Sequence, residues 1–275
     1  MPLFCDTELA RRIERAETQL MLAATHAAGR RGARTFALPI AGGNATYAGA
    51  GSPYNKVSGL GFDGVPEPEA LDEVELAFAT VGAPVQVELA HVADPAVGAL
   101  LTERGYRLTS FENVLGLSLL EAAHERFDGA GLEIRRSGDE ELQDWLEVQA
   151  DGVAVPDMQG LPWHEEFPRD AYLDAMRDSV ATGIRRYIAL HDGIVAGGAS
   201  YRVADGLAQL TGAATAPAHR RRGIQTALTA ARLADAADAG CDIAVVTTQP
   251  ASKSQQNVQR RGFDLLYTRA VLVKI

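Results

Sequence analysis

Apolar side chains fall three or four positions apart at Leu9, Ile13, Ala16, Leu20 and Ala24, with charged residues between them. That spacing gathers them on one face of a helix over residues 7–26, which Gly29 stops. The period then shortens, and residues 34–38, 43–47 and 56–62 read as short strands separated by Gly and Ser-Pro turns. Helical spacing returns at Leu71, Val74 and Phe78, which predicts a helix over 66–80. A strand at 85–90, a helix at 95–104 and a final strand or hairpin at 107–119 follow. Gly105 sits where a helix closes on a left-handed residue.

A second cycle opens after residues 124–131, whose Asp128-Gly129 pair and second glycine mark the expected linker. The chain is thereby divided into halves at 1–125 and 131–275. The second half begins with a strand at 132–135. Ser137-Gly138-Asp139-Glu140 then reads as a capping box before a helix carrying Leu142, Trp145 and Leu146. A loop with Pro156 and Pro162 leads to a helix with Tyr172, Met176 and Val180 inward, ended by Gly183. Strands at 184–190, 194–201 and 207–215 are joined by Asp192-Gly193 and Asp205-Gly206, both hairpin signals. An alanine-rich helix over 224–239 stops at Gly240, before a strand at 242–248, a short helix ending at Gly262 and a strand at 263–273.

An internal repeat relates the two cycles. Arg104-Gly105-Tyr106-Arg107-Leu108 matches Arg261-Gly262-Phe263-Asp264-Leu265. In the same register Val114-Leu115 falls on Val271-Leu272, and residues 85–91 fall on 242–248. A strand, helix, Gly-aromatic pair and strand held in one register point to two copies of one fold.

Composition narrows the function classes. At 275 residues, with 47% hydrophobic and 23% charged, each half has enough apolar material for its own core. Cys5 and Cys241 suggest neither a disulfide framework nor a metal-ligand pair, and the histidines show no metal spacing, so no metal is expected. Met1 leads directly into a charged segment, and no apolar run is long enough to span a bilayer. The expectation is a reduced cytoplasm and no membrane partner. A formal charge of -10 argues against a nucleic-acid partner, which normally needs a basic face.

Against that acidic background Arg220-Arg221-Arg222-Gly223 stands between a strand and a helix. A helix N-terminus prefers carboxylates, so arginines there oppose the local rule. Backbone N–H groups, helix dipole and guanidinium groups would together cradle a phosphate or pyrophosphate, with Gly223 allowing close approach. The competing reading is a solvated arginine cluster that happens to precede a helix. In the first half the corresponding stretch, Asp63-Gly64-Val65-Pro66-Glu67-Pro68-Glu69, is acidic and would repel such a ligand.

These motifs resemble the GNAT acyltransferase superfamily over all of the second half. That family's phosphate loop, Gln/Arg-x-x-Gly-x-Gly/Ala between a strand and a helix, is matched by Arg220-Arg221-Arg222-Gly223-Ile224-Gln225. Its closing Gly-Phe is matched by Gly262-Phe263. Gln225 departs from the pattern, replacing a small residue. The resemblance implies an α/β (α+β) chain of two GNAT-like domains, each a mixed, mostly antiparallel sheet flanked by helices, the first a degenerate copy. It implies acetyl-CoA as co-substrate and a direct transfer to an amine acceptor. The pyrophosphate would sit on the N–H groups of Arg221, Arg222, Gly223, Ile224, Gln225 and Thr226, and the pantetheine arm would pair with Ala213, Ala214 and Thr215. Arg260 or Lys253 would meet the ribose phosphate, with a solvated surface as the alternative for each.

The family often supplies a tyrosine acid four residues before the Gly-Phe glycine, and this chain has Val258 there. Ser254 and Asn257 are candidates for contacting the thioester or pantetheine, or else cap the short helix and face solvent. Tyr267 is a candidate replacement acid, or a core aromatic. A backbone N–H near Thr215 is the expected oxyanion donor. In this fold residues 157–166 border the acceptor pocket, so Trp163, His164, Glu165 and Glu166 are the candidates for recognising the amine. The first half is expected to complete the substrate cleft or to form a homodimer surface. Two other functions stay open: a CoA-binding scaffold without catalysis, and transfer from another acyl-CoA or to a non-amine acceptor.

Overall fold

The structure is a computed structural model that describes residues 2–120, 131–155 and 167–275. The first half comprises α1 (Thr7–Arg30), β1 (Phe36–Ile40), β2 (Gly43–Tyr47), β3 (Lys56–Ser58), α2 (Pro68–Thr80), β4 (Val85–Ala90), α3 (Pro95–Glu103) and β5 (Arg107–Ser118). The second comprises β6 (Leu132–Arg136), α4 (Leu142–Ala154), α5 (Arg169–Val180), β7 (Arg185–His191), β8 (Ile194–Ala204), β9 (Leu207–Thr215), α6 (Ile224–Asp238), β10 (Ile243–Thr248), α7 (Lys253–Gln259) and β11 (Asp264–Lys274).

Most elements fall where periodicity puts them. Asp192, Gly193, Asp205 and Gly206 all have positive φ, as two-residue hairpin turns require. Several details differ. Helix α1 runs through Gly29 to Arg30 instead of stopping there, and β8 continues to Ala204. Residues 59–62 form turns instead of extending β3. Helix α2 starts at Pro68. Glu141, not Glu140, closes the cap by accepting the Gly138 N–H at 3.2 Å. The expected linker lies largely outside the described residues.

The repeat holds at atomic detail. Gly105 and Gly262 adopt φ of 86° and 88°. The following aromatics donate their N–H back into the helix in the same way, Tyr106 to the Leu101 carbonyl at 3.0 Å and Phe263 to that of Val258 at 3.2 Å. Leu101 and Val258 are therefore equivalent, and both are buried core residues.

The two copies do not form two separate sheets. All described strands lie in one eleven-stranded sheet, ordered β1-β2-β3-β4-β11-β5-β10-β9-β8-β7-β6. The halves exchange their last strands. β5 crosses to pair with β10, Asn113 opposite Thr248, and β11 crosses to pair with β4, Ala90 opposite Arg269. The exchanged strands also pair antiparallel with each other. Because β5 and β11 are repeats of one pattern, each satisfies the other's neighbour, and the extra ladder between them removes two sheet edges. Pairing is antiparallel except for β3–β4 and β9–β10.

Helix α1 runs over this junction and fastens it with charge. Its N-cap Asp6 accepts the Leu9 N–H at 2.8 Å. Arg12 forks Asp242, ahead of β10, at 2.7 and 2.6 Å. Glu14 accepts from the Tyr267 hydroxyl at 2.6 Å and the Arg269 Nε at 2.7 Å, both on β11. Arg31 grips Asp178 on α5 at 2.8 Å. The buried face of α1 thus includes Glu14 and Thr18 beside the expected Ile13, Ala16, Leu20 and Ala24. Among the described residues, no helix is long and apolar enough to cross a membrane.

Candidate functional site

The site begins with one extra residue in β9. Ala213 lies opposite Ala199 and Thr211 opposite Ser200, so Gly212, at φ 36°, is bulged out of the ladder. A bulge bends its strand. The parallel pairing of β9 with β10 accordingly stops at Gln209 and Val245, although the strands continue to Thr215 and Thr248. Between the diverging ends lies a cleft of about 840 Å³. Residues 213–215 line it and have no strand partner on that side among the described residues.

Beneath the bulge sits a charge that sequence reading passed over. Arg232 of α6 is buried and donates to the carbonyls of Ser200 at 3.0 Å, Leu228 at 3.2 Å and Thr211 at 3.4 Å. Burial pulls its pKa down to about 10, which still leaves it charged at neutral pH. Those carbonyl dipoles, two of them on the bulged strand pair, do for this cation what a carboxylate usually does. An arginine in an alanine-rich helix was the available signal.

The arginine loop closes one end of the cleft. Arg221 at φ 63° and Gly223 at φ 76° are left-handed on either side of Arg222, an alternation that turns successive N–H groups into one concavity. Gly223 is the N-cap of α6, whose first turn carries no acid and no side-chain cap. Holding a non-glycine residue such as Arg221 in this region costs about 1–2 kcal/mol. Strain of this kind persists where a site depends on it.

Most of the expected residues meet here. Ala213, Ala214 and Thr215 form one wall, and Arg220, Arg221, Gly223, Ile224, Gln225 and Thr226 another. Lys253, Ser254, Asn257 and Arg260 on or beside α7 form the third. Gln225 spans the gap, its amide reaching the Ala213 carbonyl at 3.5 Å and accepting from Asn257 at 3.3 Å. The Arg220 side chain donates to the Val155 carbonyl. Ser252 caps α7 by accepting the Gln255 N–H at 3.2 Å, which leaves Ser254 out of that role.

Two expectations change. The Arg222 guanidinium turns away from the cleft to His191 Nε2 at 3.2 Å, so its contribution reduces to the backbone. Tyr267 is not on the cleft wall at all. It is buried beneath α1 with its hydroxyl on Glu14, and burial and that neighbouring carboxylate drive its pKa well above the usual range. It is a core aromatic of the junction, not an acid for this site. Trp163, His164, Glu165 and Glu166 lie outside the described residues.

The structure adds a wall from the first half. Ser110, Phe111 and Glu112 of the exchanged β5 line the cleft, with Thr247 and Thr248 of β10 beside them. Their recruitment depends on the strand exchange, for which the sequence carries no local signal. The Thr215 and Thr248 hydroxyls and His219 Nδ1 are buried on the cleft walls without a partner among the described residues. Buried polar atoms are rarely left so, and these fit a ligand that carries its own amides and phosphates.

Residues 141–263, from the start of α4 through the bulged strand and arginine loop to Phe263, match the model of the acetyltransferase (GNAT) family. The second half of the chain belongs to the GNAT acetyltransferase family. Solved structures share the fold over most of the chain. A GCN5-related N-acetyltransferase from Kribbella flavida is 20% identical with a TM-score of 0.68, covering 97% of this chain and 95% of that one. A tandem GNAT protein from the clavulanic acid biosynthesis pathway is 12% identical with a TM-score of 0.61, over 84% and 78% of the two chains. A GCN5-related N-acetyltransferase from Sphaerobacter thermophilus is 13% identical with a TM-score of 0.58, over 80% and 71%. At these identities the likeness is one of fold. A search of curated proteins finds no match. Use of an acyl-CoA is typical of the GNAT family.

Proposed function

We propose that the chain transfers an acetyl group from acetyl-CoA to an amine within a ternary complex. The carrying observation is an uncapped, acid-free helix N-terminus, in a left-handed nest, opening onto a cleft between two diverging strands. The N–H groups of residues 221–226 hold the pyrophosphate, each near-terminal charge interaction contributing about 0.3–1 kcal/mol. Arg260 and Lys253 sit at the rim for the ribose phosphate. The unpaired edge at residues 213–215 hydrogen-bonds the pantetheine amides as an added strand would, replacing the long Gln225–Ala213 contact. Ser254 and Asn257 face the same arm.

Acetyl-CoA supplies an activated acyl carbon and a thiolate leaving group. The Thr215 backbone N–H is the donor for the oxyanion. A lysine-like amine must first lose a proton, which at pH 7 costs about 4–5 kcal/mol. Val258, at the family's tyrosine position, is buried in the core and supplies no acid. Absence of a general acid costs about 10²–10⁴-fold, tolerable because a thiolate with pKa near about 8.5 leaves readily.

The first half carries no second site in this reading. Asp63 is tied to Arg11 at 2.7 Å, and α2 opens with Glu67 as its cap and Glu69 in its first turn. The buried Val258 favours one alternative, a scaffold that binds CoA without turnover. Calorimetric titration with acetyl-CoA, then thiol release across an amine panel, separates the two. Binding with release supports the transferase, binding without release for every acceptor supports the scaffold, and no binding refutes both.

A further inference from the structure

The edge of β5 beyond the cleft is an unfinished ladder. β10 pairs with β5 only as far as Thr248 opposite Asn113, then turns away through residues 249–252 into α7. β5 continues back to Arg107, paired with β11 on its other side. Its remaining edge, residues 107–112, has no strand partner among the described residues. Between that edge and Gln249-Pro250 lies a slot of about 350 Å³, sharing Ser110, Phe111 and Gln249 with the main cleft. Leu108 and Phe111 on the slot are 54% and 48% exposed.

We propose that this edge takes the acceptor, an extended peptide that adds to β5 and delivers its N-terminal α-amine to the cleft. This rests on the transferase reading above. Direction follows from the ladder. β10 is antiparallel to β5 and ends at Thr248. A chain continuing that line starts at Thr248 and runs toward Arg107, so its first residue, not its last, lies at the cleft. Antiparallel addition is also the more stable arrangement. One buried polar group awaits an ammonium there. The Thr248 hydroxyl, on a residue 5% exposed, is buried on the cleft wall without a partner among the described residues. Leu108 and Phe111 then cover apolar side chains of the peptide.

The acceptor class suits a site without a tyrosine acid or an evident strong base. At pH 7 about a tenth of α-amino groups are already neutral, against roughly a few in ten thousand lysines. The lone pair of the neutral α-amine forms the new N–C bond, and the proton the nitrogen then sheds passes to the departing thiolate, directly or through water. The C–S electron pair leaves with the sulfur, so the acyl-CoA donor is the sole co-reactant.

The test uses acetyl-CoA with a synthetic hexapeptide bearing a free N-terminus and apolar second and third residues. Its controls are the matching single amino-acid amide, a copy with alternate backbone amides N-methylated, and an Nα-blocked copy containing lysine. The expected result is a kcat/KM for the hexapeptide at least about tenfold above the amide, reduced about tenfold by N-methylation, with the blocked copy inert. Leu108→Ala, on the slot and not on the main cleft, should raise the peptide KM while calorimetry shows unchanged acetyl-CoA affinity. Equal rates for amide and hexapeptide, indifference to N-methylation, or acetylation of the lysine would overturn the peptide proposal and leave the transferase standing. Failure to bind acetyl-CoA would remove the transferase reading itself.

Discussion

Removing Glu14 should loosen the junction that brings β5 to the cleft. The Arg269 side chain is 2% exposed, with its Nε 2.7 Å from Glu14, and Glu112 and Glu88 stand farther off at 3.5 and 3.7 Å. Taking one partner from a buried ion pair costs about 3–5 kcal/mol. The two remaining carboxylates still face Arg269, which places the ionic part near the lower bound. Tyr267 also loses its acceptor, a further roughly 1–3 kcal/mol. Relief of repulsion among the clustered carboxylates offsets part of this, so Glu14→Ala should cost about 3–4 kcal/mol. At about 2–4 °C per kcal/mol for a chain near this size, Tm should fall by roughly 6–16 °C. Urea unfolding should be followed both by far-ultraviolet circular dichroism and by tryptophan fluorescence, to which the buried Trp145 contributes. Pairing Glu14→Ala with Arg269→Met completes a double-mutant cycle, where a coupling of at least about 1 kcal/mol is expected. A Glu14→Ala loss below about 1 kcal/mol, or a cycle without coupling, refutes the claim that this pair fastens the halves.

Three other outcomes follow from particular residues. Gly223→Glu should abolish acetyl-CoA affinity, because it strains a left-handed position and sets a carboxylate against the phosphates; calorimetry showing wild-type affinity would displace the anion site. Tyr267→Phe should leave the rate of thiol release within about twofold while costing roughly 1 kcal/mol of stability, and a loss of about a hundredfold in rate would return it to the catalytic list. Burial raises the Glu17 carboxyl pKa, Glu88 and Glu14 adding to the rise and Arg269 and Lys56 opposing it. The folded state then binds the proton more tightly than the unfolded state. Below the unfolded value near about 4.3 the group contributes nothing, and above it ionisation costs stability. Glu17→Gln should therefore stabilise at pH 7 and lose that gain toward pH 4, in urea titrations at both values.

Local order along the chain dictates much of this molecule. The helical stripe of α1, the Asp-Gly hairpins, the repeated Gly-aromatic helix ends and the arginine loop are each set by neighbours within a few residues. Steric and hydrogen-bonding rules at that range leave few options. The proposed anion site can be read from sequence for this reason, since residues 220–226 lie together in sequence as in space. Partner choice between distant strands is another matter. β5 and β11 carry one pattern, so either satisfies β4 or β10, and only the packing of α1 across both halves, through Glu14, Arg12 and Arg31, selects the exchanged arrangement. From that selection come the burial of Tyr267 away from the cleft and the arrival of Ser110, Phe111 and Glu112 on its wall. Arg232 belongs with them, because a buried cation is tolerable there only once the β9 bulge and its neighbouring strand turn carbonyls toward it, and no window of sequence contains both.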